Sequence, residues 1–190
     1  NLSSADFSGA NLYQAKLIEA NLSWADFSVA NLRGATFTQA DLNHANFIGA
    51  DLSEANLKEA AIAHAILIGT ELRDVNLRGA DLGAAKLIRA NLAYGNLVEA
   101  NLITADLSKA NLYEATLIGA YLYKTDLFNA NLSHAHLSSA YLLQANLSEA
   151  DLRGANVENT QFAKNIGISK EMRLVLLRRG AIFEDSTGNR

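Results

Sequence analysis

The chain has 190 residues, a net charge of −4 at neutral pH, 49% apolar and 19% charged residues, and neither cysteine nor proline. That composition excludes a disordered tail, disulfides, thiol catalysis and cysteine metal sites, and the acidic balance weighs against direct nucleic-acid binding. Its apolar runs fall far short of the ~18–20 residues of a membrane span, and its length suits one domain with a substantial core.

From Asn1 onwards the chain repeats every five residues. Positions 2, 7, 12 and so on to 162 are apolar in all 33 cases: Leu in 26, Phe in five, with Ile62 and Val157. Two residues before each of these centres stands Ala in 27 of 32 cases, the exceptions being Thr70, Val75, Gly95, Thr125 and Thr160. Asn or Asp directly precedes the centre in 22 of 33 cases. Neither regular element accommodates this period. On a helix, five residues advance about 500°, about 140° past a full turn, so the centres would wander around the cylinder. On a flat strand, residues five apart face opposite ways. Both conflicts vanish if the chain turns a corner once per repeat. Four corners close a square coil of 20 residues, with every Leu or Phe and every Ala pointing inward. Alternating large and small side chains is what a narrow interior requires. Asn and Asp, whose side chains bond nearby backbone, are expected at the corners.

The run "ANLSWADFSVANLRGATFTQADL" at residues 20–42 resembles the A(D/N)LXX motif of the pentapeptide-repeat family, and the pattern continues through residues 1–162. The resemblance implies an all-β solenoid, a right-handed quadrilateral β-helix of about eight coils. It also implies a role in interaction rather than catalysis, as in the many cyanobacterial members. An alternative role comes with it: quinolone-resistance members imitate duplex DNA and bind DNA gyrase or topoisomerase IV.

Function on such a rod must lie on outward positions. Sorted by coil position, the four faces, named by their first centres Leu2, Phe7, Leu12 and Leu17, carry net charges of −1, −2, −3 and −1 over residues 1–160. Those residues hold 17 acids interleaved with 10 bases, whereas a 40 Å mimic of duplex DNA needs on the order of twenty uncompensated negative charges. A protein-binding scaffold is therefore the favoured reading. Two apolar groups are its candidate partner surface. On the Phe7 face, Ile48, Ile68 and Ile88 form an outward column, joined by Ile66 within the least regular stretch, 61–75, where Ala61, Ile66 and Glu71 are expected at corners. On the Leu2 face, Ile103, Tyr121, Tyr123, Tyr141 and Leu143 gather in the C-terminal half.

Trp24, His44 and His64 form one column, and His134 and His136 straddle a corner. His44 and His64 lack an evident third metal ligand, and Ser23, His44 and Asp41 would sit on a convex rod without a pocket. No catalytic, cofactor or metal residue is assigned, and the chain is expected not to be an enzyme.

After Phe162 the pattern breaks, and residues 163–190 read as a capping helix and tail. Ser169 is the expected N-cap, with Glu171 in the first turn, Arg178 and Arg179 in the last, and Gly180 as the stop. Met172, Val175 and Leu176 are expected to cover the last coil, with Ile166, Ile168, Ile182 and Phe183. A monomer is expected, with the helix as the alternative dimerisation element. Because the chain opens at Asn1 in register and without Met, it is read as a processed or trimmed product. The cytoplasm is the expected compartment unless a targeting segment preceded Asn1.

Overall fold

A computed structural model describes residues 1–184. Residues 185–190, the end of the expected tail, lie outside the described residues. The chain winds into a β-solenoid in which each parallel bridge joins residues 20 apart, from Asp6↔Asp26 to Asn146↔Ile166. Four five-residue units thus complete one turn. Only two straight stretches lengthen into parallel strands, β1 (Tyr141–Leu143) and β2 (Gln161–Ala163).

Three sets of backbone hydrogen bonds define a unit. The centre donates to the carbonyl 19 residues ahead, as Leu22 does to Asp41 at 2.7 Å. The residue before it donates 21 residues back, as Asp41 does to Ala20 at 3.0 Å. A tight turn closes the corner, with Ala25 N–H donating to the Leu22 carbonyl at 3.1 Å. Neighbouring coils thereby satisfy one another's backbone, as a water-free interior demands.

The corners are the two residues after each centre. This corrects the expectation that Asn and Asp occupy them, and it moves Ala61, Ile66 and Glu71 from corners to bridge positions. The Asn or Asp side chain acts on the corner from outside it. Its Oδ1 accepts the N–H of the first corner residue, as Asp41 does from Asn43 at 3.0 Å. Its amide also bonds along the axis, Asn131 to Asn111 and Asn111 to Asn91, both at 3.0 Å. The second corner residue adopts positive φ throughout, including non-glycines such as Trp24 at 63° and Val29 at 51°.

The interior follows from the repeat. Leu and Phe centres from Leu22 to Phe162 are buried, with the small residues beside them. Phe7, Phe27 and Phe47 stack in one column at 5.0 Å, and Phe37 meets Phe27 edge-on. Each buried centre contributes about 1.5–3 kcal/mol before chain entropy is subtracted.

The C-terminal end is closed by α1 (Lys170–Arg178) and β3 (Ile182–Phe183), which pairs parallel with β2. Ser169 Oγ accepts the Met172 N–H at 3.1 Å, so the N-cap stands where the sequence puts it. Gly180, at φ +86°, lets Ala181 N–H reach the Leu176 carbonyl and its own N–H reach Leu177, a paired C-terminal lock. Leu176 is 1% exposed, and Met172, Ile168 and Phe183 pack against the core. Val175, Ile166 and Ile182 instead face outward. Ile166 occupies a bridge position opposite Asn146, and the outer side of β3 presents Ile182.

Candidate partner surfaces

The register of 20 turns sequence columns into surface columns. On the Leu2 face, bridges join Asn101 to Tyr121 and Tyr121 to Tyr141. The two Tyr rings stack at 5.3 Å and 4°, and Tyr121 remains 47% exposed. The neighbouring column holds Ile103, exposed, with Tyr123 and Leu143 half-buried. Lys124 Nζ lies 5.2 Å from the Tyr123 ring centre, which places a cation at the edge of the group.

On the Phe7 face, Ile48 is 44% exposed, while Ile66, Ile68 and Ile88 are half-buried. Ile66 bridges Asn46 on one side and Lys86 on the other. The structure therefore assembles each expected group, but on two faces separated by the corner column of Trp24, His44 and His64. They form two surfaces, not one site.

That corner column is itself a stack. Trp24 lies 4.0 Å from His44, and His44 lies 4.9 Å from His64, all within 7° of parallel. Among the described residues no group of three metal-ligating side chains exists. Ser23 Oγ donates to Asn21 at 2.8 Å, while the His44 ring is occupied on both faces, so Ser23, His44 and Asp41 form no catalytic relay.

A further chain of rings escaped the sequence reading. Arg73 lies 4.4 Å over Tyr94, Tyr94 meets Tyr113 edge-on at 5.6 Å, and Tyr113 meets His134 at 5.8 Å. These residues alternate between the first and second corner positions, so their spacing runs 21, 19, 21. Columns sorted strictly by 20 separate them; the signal was a basic or aromatic residue at alternating offsets. Beside this chain Glu114, bonded to the Tyr113 hydroxyl, pushes that phenol up.

Electrostatic perturbations are local. Hydrogen bonds from the Ser8 side chain and backbone hold Asp6 below the usual carboxylate range. The Arg153 guanidinium, bonded to both oxygens of Asp151, lowers that carboxyl. Two clefts of about 240 and 220 Å³ lie at the C-terminal end, one beside Lys164, Arg173 and Phe183, the other between Leu152 and α1. No helix among the described residues is long and apolar enough to cross a membrane.

A parallel-bridged solenoid with a five-residue unit defines the class to which this chain belongs. The family described as pentapeptide repeat region matches residues 1–67, and that described as pentapeptide repeats (8 copies) matches 55–93, 85–122, 96–133 and 130–164. The chain belongs to the pentapeptide-repeat family, whose members are generally structural or interaction modules.

Among solved structures, it is 32% identical to HetL, a pentapeptide repeat protein involved in heterocyst differentiation regulation from Nostoc sp. strain PCC 7120. That match covers 82% of this chain and 84% of HetL, with a TM-score of 0.40. A second Nostoc PCC 7120 pentapeptide repeat protein is 34% identical over 55% of this chain and 84% of its own, with a TM-score of 0.49. Trypsin-treated QnrB1, a plasmid-mediated fluoroquinolone resistance protein, is 21% identical over 93% of this chain and 85% of its own, and its TM-score of 0.63 reflects a shared fold. No curated protein sequence matches the chain.

Proposed function

We propose that this chain is a non-enzymatic rigid scaffold that binds another protein through outward ladders, using no cofactor, metal or direct nucleic-acid contact. The observation that carries the reading is the Tyr121–Tyr141 stack. Four more residues extend it into a flat aromatic and aliphatic surface: Ile103, Tyr123, Leu143 and, at its edge, Lys124. Contiguous exposed apolar area tends to mark interfaces, and Tyr offers large contact area at low entropic cost. The second surface is Ile48, Ile66, Ile68 and Ile88.

Finer features of the architecture belong to the same reading. The rod is right-handed, with about eight coils over residues 1–162 and a capping segment over 163–190. The alternative, a mimic of duplex DNA directed at gyrase or topoisomerase IV, has less support. Arg33, Lys58, Arg73, Arg78 and Arg153 pair with neighbouring acids along the rod and interrupt any continuous negative field.

Affinity capture from a lysate tests the scaffold reading with three immobilised proteins: wild type; Tyr121→Asn with Tyr123→Ser and Tyr141→Asn; and Ile66→Asn with Ile68→Ser. A protein held by wild type and lost from one variant of unchanged thermal stability is the expected result. Identical captures by all three would assign both ladders to coil stacking alone.

A further inference from the structure

The outward columns of the Phe7 face change character along the axis. At residues 1–40 they carry Asp6 and Asp26, with Ser8, Ser28, Gly9 and Val29. Over 41–80 they carry no charge: Asn46, Ile48 and Gly49, then Ile66, Ile68 and Gly69. Over 81–120 three cations, Lys86, Arg89 and Lys109, stand against the single acid Asp106, with Ile88 and Ser108 between them. None of these charged residues enters an ion pair with another of the described residues. An acidic end, an apolar middle and a basic end thus lie in line on one flat face.

We propose that this face is an isologous interface with a second copy of the chain, the two rods lying antiparallel and face to face about a two-fold axis that crosses between Ile48 and Ile68. The proposal rests on the reading of outward ladders as protein-binding surfaces and names the occupant of one of them.

Such an axis leaves each column opposite itself and reverses its order, and the residues then match. Ile48 meets the partner's Ile68, and Gly49 meets the partner's Gly69, where the absence of side chains lets the faces approach. Asp26 meets the partner's Lys86, three coils or roughly 14 Å along the axis from its own Lys86. Asp6 meets the partner's Asp106, flanked by the cations of the partner's Lys86 and the partner's Lys109. At the edge, Trp24, which stands 63% exposed, covers the partner's Ala84, and His44 faces the partner's His64. Every contact occurs twice, as a two-fold interface requires. With the rods parallel, Asp26 would face the column of Val29 and Gly49, and the charges would go unpaired. The surface used is a face of the rod, in place of the monomer or helix-paired dimer expected from the sequence.

Sedimentation equilibrium or light scattering across a concentration series tests the proposal with two charge-reversed proteins. One carries Asp6→Lys with Asp26→Lys, and the other Lys86→Asp with Arg89→Asp. Lys16 and Lys86 already occupy this column position, so the fold accepts the first change, and circular dichroism with thermal melting checks both. Wild type is expected to dimerise, and each variant alone to dimerise at least about tenfold more weakly. Their equimolar mixture is expected to regain a dimer, because the Asp26→Lys side chain of one copy then faces the Lys86→Asp side chain of the other. A wild-type monomer at every concentration overturns the proposal. So does a dimer that both variants retain, or one lost on Leu174→Ser with Leu177→Ser in α1. Those failures leave the scaffold reading to the tyrosine variant of the capture experiment.

Discussion

Thr70 Oγ1 donates to the Phe47 carbonyl at 2.8 Å, linking one coil to the next through the interior. Thr125 and Thr160 repeat the arrangement with Leu102 and Leu137, both at 2.7 Å. All three sit where Ala is the rule and are fully buried. The interior tolerates a polar group there because the hydroxyl reaches the carbonyl that the turn presents 23 residues earlier. Asn165 follows the same logic at the last coil, donating from Nδ2 to the Leu142 and Ala145 carbonyls.

Replacing Thr125 with Val keeps the shape and removes the donor. The Leu102 carbonyl retains the Ala105 N–H, so the loss is one hydrogen bond, about 1 kcal/mol, or about 2–4 °C in melting temperature. Thermal unfolding followed by circular dichroism measures it. No change, or stabilisation, would mean that the hydroxyl is only tolerated.

Val29 should respond in the opposite direction. A β-branched residue at φ 51° pays the left-handed penalty of roughly 1–2 kcal/mol, and Val29 is 69% exposed, so little packing offsets it. Val29→Asn is expected to raise stability by about 1 kcal/mol. A lowered melting temperature would show that its contact with the Gly49 coil outweighs the strain.

Gly167 marks the strictest backbone requirement near the cap. A Cβ there would stand 2.2 Å from the Ser148 backbone, at φ +86°. Gly167→Ala is therefore expected to dislodge the segment leading into α1. Amide exchange across 170–183 should rise while residues 21–140 stay protected, and unaltered exchange in α1 would contradict the close approach.

Acid should loosen the C-terminal end through two carboxylates. Asp151 is held below its ordinary value of 3.8 by Arg153, and Glu171 below 4.5 by its own backbone N–H and Ser169. A lowered folded-state value means that each contribution is complete above the ordinary value and is lost as pH falls through the lowered one. Melting temperature measured between about pH 6 and pH 3 should fall less steeply in Arg153→Ala and Ser169→Ala than in wild type. Identical slopes would remove these groups from the acid response.

The core and the columns were legible in the sequence because a solenoid's long-range contacts fall at a fixed spacing. Once the period of five closes into 20, Leu22 over Leu42 and Ile48 over Ile68 follow without further information. Corner position was misread because Asn and Asp favour turns for two different reasons. They can occupy a turn, or they can sit before one and reach into it, as Asp41 does to Asn43. Ser169 and Gly180 announced the helix ends. Ile166 and Ile182 could not be assigned a side from hydrophobicity alone, since the bridge that turns Ile166 outward depends on where the last coil stops. The Arg73–Tyr94–Tyr113–His134 chain was hidden by its alternating offsets.

Every surface described depends on one claim, that positions 20 apart stand over one another on a stiff rod. The chain has no cysteine, so spin labels attach only where cysteines are placed. Thr38→Cys and Ser138→Cys occupy one column of the Leu17 face, five coils apart, or roughly 24 Å at the strand spacing. Electron–electron double resonance on this pair, diluted into unlabelled protein, should give a single narrow distance near that value. A broad distribution, or one centred beyond about 35 Å, would contradict the stacked register.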